Sequence, residues 1–247
     1  MIVILTAMPE ELEAISAAIE SPRVETAAGR RIVHGTIAEQ PVAAAFSRWG
    51  KVAAAATASH LLTALRPSCV VFTGIAGAVR DDLAVGDFVF ARNLYQHDLD
   101  ASPFFPRTHV PLLDRAALPA DQELTAALRA ALEVHLLTGA VDQAATDVGP
   151  TGPRTWVGDI ATGDQVIGTR SARARVVSAV PDASCVEMEG AAVAQVCFEF
   201  QVPFACVRMI SDRADESLAP DEVFRLARRS GEHMALMLRS WLQGRSD

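Results

Sequence analysis

Short apolar runs bounded by turn residues alternate along this chain with longer stretches of helical apolar spacing. It opens on Ile2–Leu5, a β-branched run that predicts a strand, and passes directly into Thr6-Ala-Met-Pro-Glu-Glu-Leu-Glu. Pro9 suits a first helical turn, where its missing N–H costs no hydrogen bond, and Glu10 and Glu11 fall at the positive end of the helix dipole. Arg31–Phe46, broken by Gly35 and Pro41, predicts two or three strands. Val52–Leu65 is apolar and alanine-rich, with Pro67 beyond its end, and predicts a buried helix.

Cys69–Phe72 predicts a buried strand, closed by a glycine turn at Thr73-Gly-Ile-Ala-Gly77. Phe88–Ala91 predicts another, after Gly86-Asp87. The prolines from Pro103 to Pro119 predict an irregular connection, Gln122–Leu137 a helix and Gly139–Pro153 a loop. Thr155–Ala161 reads as a strand ending at Gly163-Asp164, Ser171–Val177 as a short helix, and Gly190–Phe200 as a helix. Phe204–Met209 reads as a strand after Pro203, and Asp221–Leu242 as an amphipathic helix. Strands alternating with helices, and strands without polar alternation, argue for an α/β sandwich whose largely parallel sheet is covered on both faces. One domain over 1–247 is expected, since a chain this long buries about three quarters of its unfolded surface.

Composition narrows the class. The 247 residues are 50% hydrophobic and 21% charged, which excludes a disordered, collagen-like or coiled-coil chain. The net charge of −8 repels a nucleic-acid backbone, and no basic block offsets it. Cys69, Cys185, Cys197 and Cys206 stand among apolar neighbours without a Cys-x-x-Cys pair, so they read as small buried hydrophobes in a reducing compartment. The N-terminus lacks a basic leader, and no apolar run approaches the roughly 18–20 residues of a membrane span. A cytoplasmic protein without membrane or nucleic-acid partners is expected.

Several motifs lie at the junctions between a predicted strand and the next element. Gly50-Lys51 holds the chain's single lysine, but a phosphate-binding loop would need Gly at 45 and Ser or Thr at 52, where the chain has Ala45 and Val52. The glycines at 74 and 77 lack dinucleotide-fingerprint spacing, which leaves either a packing turn or a ligand site at a strand end. His97-Asp98-Leu-Asp100 offers metal-ligand residue types without a Cys or His partner set, so a structural turn or a salt-bridged loop is favoured over a metal site. Val186-Glu-Met-Glu189 places two carboxylates on one face of an extended segment, where burying them costs several kcal/mol unless donors wait nearby; the alternative is a capped helix start with solvated acids. Asp212 ends the apolar run Val207-Arg-Met-Ile-Ser, as a site acid or as a cap for the next turn.

These motifs together resemble the 5′-methylthioadenosine/S-adenosylhomocysteine nucleosidases of the nucleoside phosphorylase superfamily. The resemblance runs through Ala7-Met8-x-Glu-Glu11, Gly50-Lys51-Val-Ala-Ala, Thr73-Gly-x-Ala-Gly77, Val85-Gly-Asp87, His97-Asp98-x-Asp100, Gly163-Asp164, Val186-Glu-Met-Glu189 and Val207-Arg-x-Ile-Ser-Asp212. It implies a three-layer α/β/α sandwich with a central mixed sheet, cleaving the N-glycosidic bond of an adenine thionucleoside without metal or organic cofactor. By matching positions, Asp212 would act on purine N7, Glu11 would activate water, Glu189 would hold the ribose hydroxyls and Met188 would lie against the ribose. Met8, Ala76, Gly77, Val166, Ile167, Glu187, Arg208, Ser211 and Trp49 complete the substrate-binding set the resemblance implies. Arg208 is expected to pin Glu189 or Glu187. Phe104 would cover the pocket of a neighbouring subunit in a homodimer, or else act as a local plug.

Phosphorylases of the superfamily carry a Gly-Asp-Pro-x-Arg turn near the N-terminus and an arginine before the central glycine turn. Here those places hold Ala7-Met-Pro-Glu-Glu11 and Val70-Val-Phe72. A phosphate dianion beside Glu11 would meet repulsion on the order of several kcal/mol. Water is therefore the expected nucleophile. Ile75 stands where many relatives have serine, Trp49 where they have a smaller aliphatic residue, and Val166 where they often stack an aromatic on the purine. A futalosine-type hydrolase is the competing enzymatic reading, and a nucleoside-binding protein without catalysis the competing reading of another class.

Overall fold

The computed structural model describes residues 1–137, 152–215 and 219–245. Most of the predicted Gly139–Pro153 loop lies outside them. The chain opens with β1 (Ile2–Thr6) and α1 (Pro9–Ala17), then a meander of β2 (Glu20–Ala27), β3 (Arg30–Ile37) and β4 (Gln40–Phe46). Next come α2 (Lys51–Leu65), β5 (Cys69–Ala78), β6 (Phe88–Gln96), the two-residue β7 (Leu118–Pro119) and α3 (Gln122–Leu137). The remainder is β8 (Thr155–Thr162), α4 (Arg170–Ala179), β9 (Ala183–Glu187), α5 (Gly190–Glu199), β10 (Phe204–Asp212) and α6 (Pro220–Gln243).

The ten strands of the described residues form one mixed sheet, in the order β10-β6-β8-β9-β5-β1-β4-β3-β2 with β7 beside β6. Alternation along β1 sorts two cores. Val3 and Leu5 pack with α2 and α5 on one face, while Ile2 and Ile4 pack with α1, α3 and α6 on the other. A third cluster gathers α4 side chains with Ala161, Ile167, Ala183 and Val186. Helices thus cover both faces of a central sheet, the three-layer arrangement expected. The four cysteines are buried and free, and no helix among the described residues is long and apolar enough to cross a membrane.

Several expectations need correction. Thr73–Gly77 is not a turn: β5 continues through it, pairing in parallel with Val207–Asp212 of β10. Glycine is kept there because side chains from other elements fill the space a Cβ would take. The strands predicted at Phe88–Ala91 and Phe204–Met209 run on to Gln96 and Asp212 through bulges. β2 has no counterpart among the predicted strands: all but its last residue are exposed, so it carries no apolar run. The Val186–Glu189 segment is extended only to Glu187, and Glu189 is the N-cap of α5. The sheet contains antiparallel pairings at β2–β3, β3–β4, β5–β9, β6–β7 and β6–β10, so it is mixed rather than largely parallel.

One topological detail sets up the site. Along one side of β5, Cys69–Phe72 pair with β1, whereas Gly77 and Ala78 pair with β9. Between these pairings the strand changes neighbours, and the Ile75 N–H, which falls in the interval, is donated to a side chain instead, Glu11 Oε1 at 3.2 Å.

Candidate active site

Glu11 is placed by the start of α1. Met8 is the N-cap and Pro9 occupies the first turn. Glu11, three residues past the cap, reaches back so that Oε2 accepts the N–H groups of Ala7 at 3.0 Å and Met8 at 3.1 Å, a local reason for a glutamate at this position. The side chain is 1% exposed. Burial raises its carboxyl from 4.5 to about 7, against the opposing pull of the Arg208 charge and the three backbone donors.

Glu187 and Arg208 form a buried pair at 2.7 Å between Oε2 and Nη2. Glu187 also accepts the hydroxyl of Thr162 and the N–H groups of Glu189 (3.1 Å) and Gly190 (2.7 Å). Of the two partners expected for Arg208, Glu187 is the one engaged. The guanidinium also lies over the Phe72 ring, 4.2 Å from its centroid. Glu189 points elsewhere: its Oε1 accepts the Gly50 N–H at 2.8 Å. Burial, with the Glu187 charge beside it, raises the Glu189 carboxyl to about 8.

Asp212 ends β10. Its Oδ2 lies 2.6 Å from Ser211 Oγ, which is also 3.2 Å from the Ala76 carbonyl, and its Oδ1 accepts the Ala214 N–H at 2.7 Å. The aspartate therefore caps the following turn, as the alternative reading held, while its carboxylate faces the site. The Ser211 hydroxyl thus bridges the Asp212 carboxylate and the Ala76 carbonyl.

These groups line one cleft. Its walls contain Met8, Glu11, Trp49, Ala76, Gly77, Val166, Ile167, Glu187, Met188, Glu189, Arg208, Ser211 and Asp212. Phe104 is the one expected site residue outside the walls; it is 86% exposed on the loop after β6. The motifs did not assign Ala7, Gln165 or Val223 to the site, though all three line the cleft; Val223 in the first turns of an amphipathic helix carries no sequence signal for a ligand. Gly74 belongs to the glycine motif, which by itself gives it no role. A Cβ there would lie 3.0 Å from Glu11 Oε1 and 3.4 Å from Arg208 Nη1.

The loop at His97–Asp100 is salt-bridged, Asp98 to Lys51 at 2.7 Å and Asp100 to Arg107 at 3.4 Å. Among the described residues no group of three or more His, Cys, Asp or Glu side chains is arranged to hold a metal ion. The cleft's polar side chains are thus carboxyl groups, one arginine, a glutamine and a serine, suited to a neutral polar ligand with hydroxyls and ring nitrogens.

The model of the phosphorylase superfamily matches this chain over residues 1–243; the chain belongs to that superfamily. A 5′-methylthioadenosine/S-adenosylhomocysteine nucleosidase from Shewanella pealeana is 31% identical over 97% of both chains. The nucleosidase structure from Neisseria meningitidis, in complex with methylthio-immucillin-A, superposes with a TM-score of 0.86 at 26% identity over 98% of both chains. A futalosine hydrolase from Helicobacter pylori superposes with a TM-score of 0.84 at 29% identity, covering 98% of this chain and 97% of that one. Within the superfamily, the chain is a member of the 5′-methylthioadenosine/S-adenosylhomocysteine nucleosidase family.

Proposed function

We propose that this enzyme hydrolyses the N-glycosidic bond of 5′-methylthioadenosine, S-adenosylhomocysteine or both, releasing adenine and the thioribose product. The observation that carries the residue roles is the convergence of Glu11, Glu189 and Asp212, from three distant parts of the chain, on one cleft. Bond cleavage makes the sugar oxocarbenium-like while negative charge grows on the base. Asp212, backed by Ser211, supplies or shares a proton at purine N7. Glu11, with its carboxyl near 7, has the basicity to take a proton from water at neutral pH. Glu189 accepts the ribose hydroxyls, and Met188 lies against the sugar.

Charge favours water over phosphate. Arg208 is the one cation among the described residues that line the cleft, and it is held by Glu187. The three further ionisable side chains on the walls are acids, so among the described residues no uncommitted cation lines the cleft to offset a phosphate dianion. Incubation with methylthioadenosine, with and without phosphate, tests this: adenine should appear at the same rate in both. Phosphate-dependent release would overturn it.

A futalosine-type substrate is the second reading, favoured by Trp49 and Val166, half-exposed or more at the cleft wall, and by the likeness to the Helicobacter pylori hydrolase. Products separate the two, since release of a base other than adenine would support it. A nucleoside-binding role without turnover would leave the acid and base without a task. The exposure of Phe104 and of Leu112 on the same loop supports a homodimer in which Phe104 covers the partner's cleft; sedimentation of the native chain and a raised KM in Phe104→Ala are expected to show it. Buried free cysteines support a reducing, cytoplasmic setting.

A further inference from the structure

Three motifs stand outside the cleft walls yet meet one another behind it: Gly50-Lys51, His97-Asp98 and Gly163-Asp164. The Lys51 ammonium lies 2.7 Å from Asp98 Oδ1 and 3.3 Å from Gln96 Oε1. The other Asp98 oxygen accepts the Asp164 N–H at 2.8 Å. Asp164 Oδ1 in turn accepts the backbone N–H of Lys51 at 2.8 Å, and its Oδ2 is 4.0 Å from the ammonium. The contacts close a ring through three segments: the start of α2, the turn after β6 and the loop after β8. That last loop goes on to Gln165, Val166 and Ile167 in the cleft wall.

The ring ends one residue from the site. Gly50 sits at φ +90, in the region that favours glycine, and a Cβ there would lie 3.1 Å from Asp164 Oδ1. Its N–H is donated to Glu189. We propose that Lys51 is a positioning residue for Glu189: by joining Asp98 and Asp164 it fixes the start of α2, and so aims the Gly50 N–H at the carboxylate. The inference rests on the reading that Glu189 binds the ribose hydroxyls. Without the ammonium, the two aspartates repel each other and Asp164 is free to leave the Lys51 N–H. Burial alone would raise Asp98, but the Lys51 and Asp164 donors outweigh it and hold the carboxyl below its ordinary value, as a stable ring requires. Glu189 is faced by Gly50, Glu187, Arg208 and Glu11; His97 flanks the ring and packs against Gly163.

The test compares the native chain with Lys51→Met, Lys51→Arg and Asp98→Asn. Amide exchange at Gly50, followed by NMR in the free protein, should be slow in the native chain and at least about tenfold faster in Lys51→Met, the scale set by losing one hydrogen bond to a charged group. The KM for methylthioadenosine should rise about tenfold with kcat within about threefold, and the acidic limb of kcat/KM should move to higher pH as Glu189 loses its donor. Lys51→Arg should restore both, and Asp98→Asn should shift them in the same direction by less. Unchanged Gly50 exchange in Lys51→Met, or a fall in kcat with KM and the limb fixed, would overturn the proposal. If the native enzyme releases no adenine, the proposed reaction fails, while the exchange comparison still decides whether Lys51 holds Gly50.

Discussion

Arg208 and Glu187 face each other across 2.7 Å in a space where neither side chain is more than 3% exposed. The pair lines the cleft and leaves Glu11, Glu189 and Asp212 as the acids that face a ligand. Breaking a buried pair from one side leaves an uncompensated charge. Arg208→Met should therefore destabilise the fold by about 3–5 kcal/mol, read as a lower urea midpoint. Removing Arg208 also removes the charge that opposes protonation of Glu11, so residual activity should need a more alkaline medium.

Gly77→Ala tests how Asp212 is seated. The added Cβ would lie 2.8 Å from Asp212 Oδ1 and 3.0 Å from the Ala214 Cβ. The aspartate must shift, and adenine release should fall at least about a hundredfold, the lower range for losing a positioned acid. Circular dichroism and thermal melting should show a folded protein.

Glu11 gives the reaction a sign with pH. Its carboxyl sits near 7, and only the ionised form accepts a proton from water. With substrate saturating and Glu189 held on the ribose, the rate should fall as pH drops through about 7, whereas a glutamate at its ordinary 4.5 would hold activity to much lower pH. Glu11→Gln should lose about 10²–10⁴ of the rate above about pH 7, with the deficit narrowing in acid. A native profile flat down to about pH 5, near the ordinary glutamate range, would remove Glu11 from the role.

His233 governs stability in acid. It is 2% exposed, edge-on to Phe88 at 5.2 Å and to His135 at 6.0 Å. Burial lowers its imidazole from 6.5 to about 4, and the Arg229 and His135 charges add to this. Between those values the unfolded chain binds a proton that the folded chain refuses, so stability falls as pH drops from 6.5 toward 4. The full loss is roughly 3 kcal/mol. Denaturant midpoints for His233→Phe should vary less over that interval than those of the native protein.

Much of the frame is legible in the sequence because burial on both faces writes itself as uninterrupted apolar runs. Ile2–Leu5 and Cys69–Phe72 predict strands where β1 and β5 begin, and Asp221–Leu242 predicts nearly all of α6. The solvated β2 carries no such signal. The glycines at 74 and 77 mislead, since glycine that makes room for another element's carboxylate looks in sequence like glycine that makes a turn. Glu11, Glu189 and Asp212 stand out through motif resemblance and their places at strand ends. The choice of Glu187 over Glu189 for Arg208, and the Lys51 ring, depend on contacts between residues 21 to 113 positions apart, which no local pattern records.

The change of neighbours along β5 opens the backbone pairing where the ligand would sit, and the glycines at 74 and 77 make the room beside it that Glu11 and Asp212 fill. Mutations at Trp49, Ile75 or Val166 can then alter which molecule enters while the opening itself persists. A lineage built this way is free to exchange one glycoside for another without ever having to re-learn how to fold.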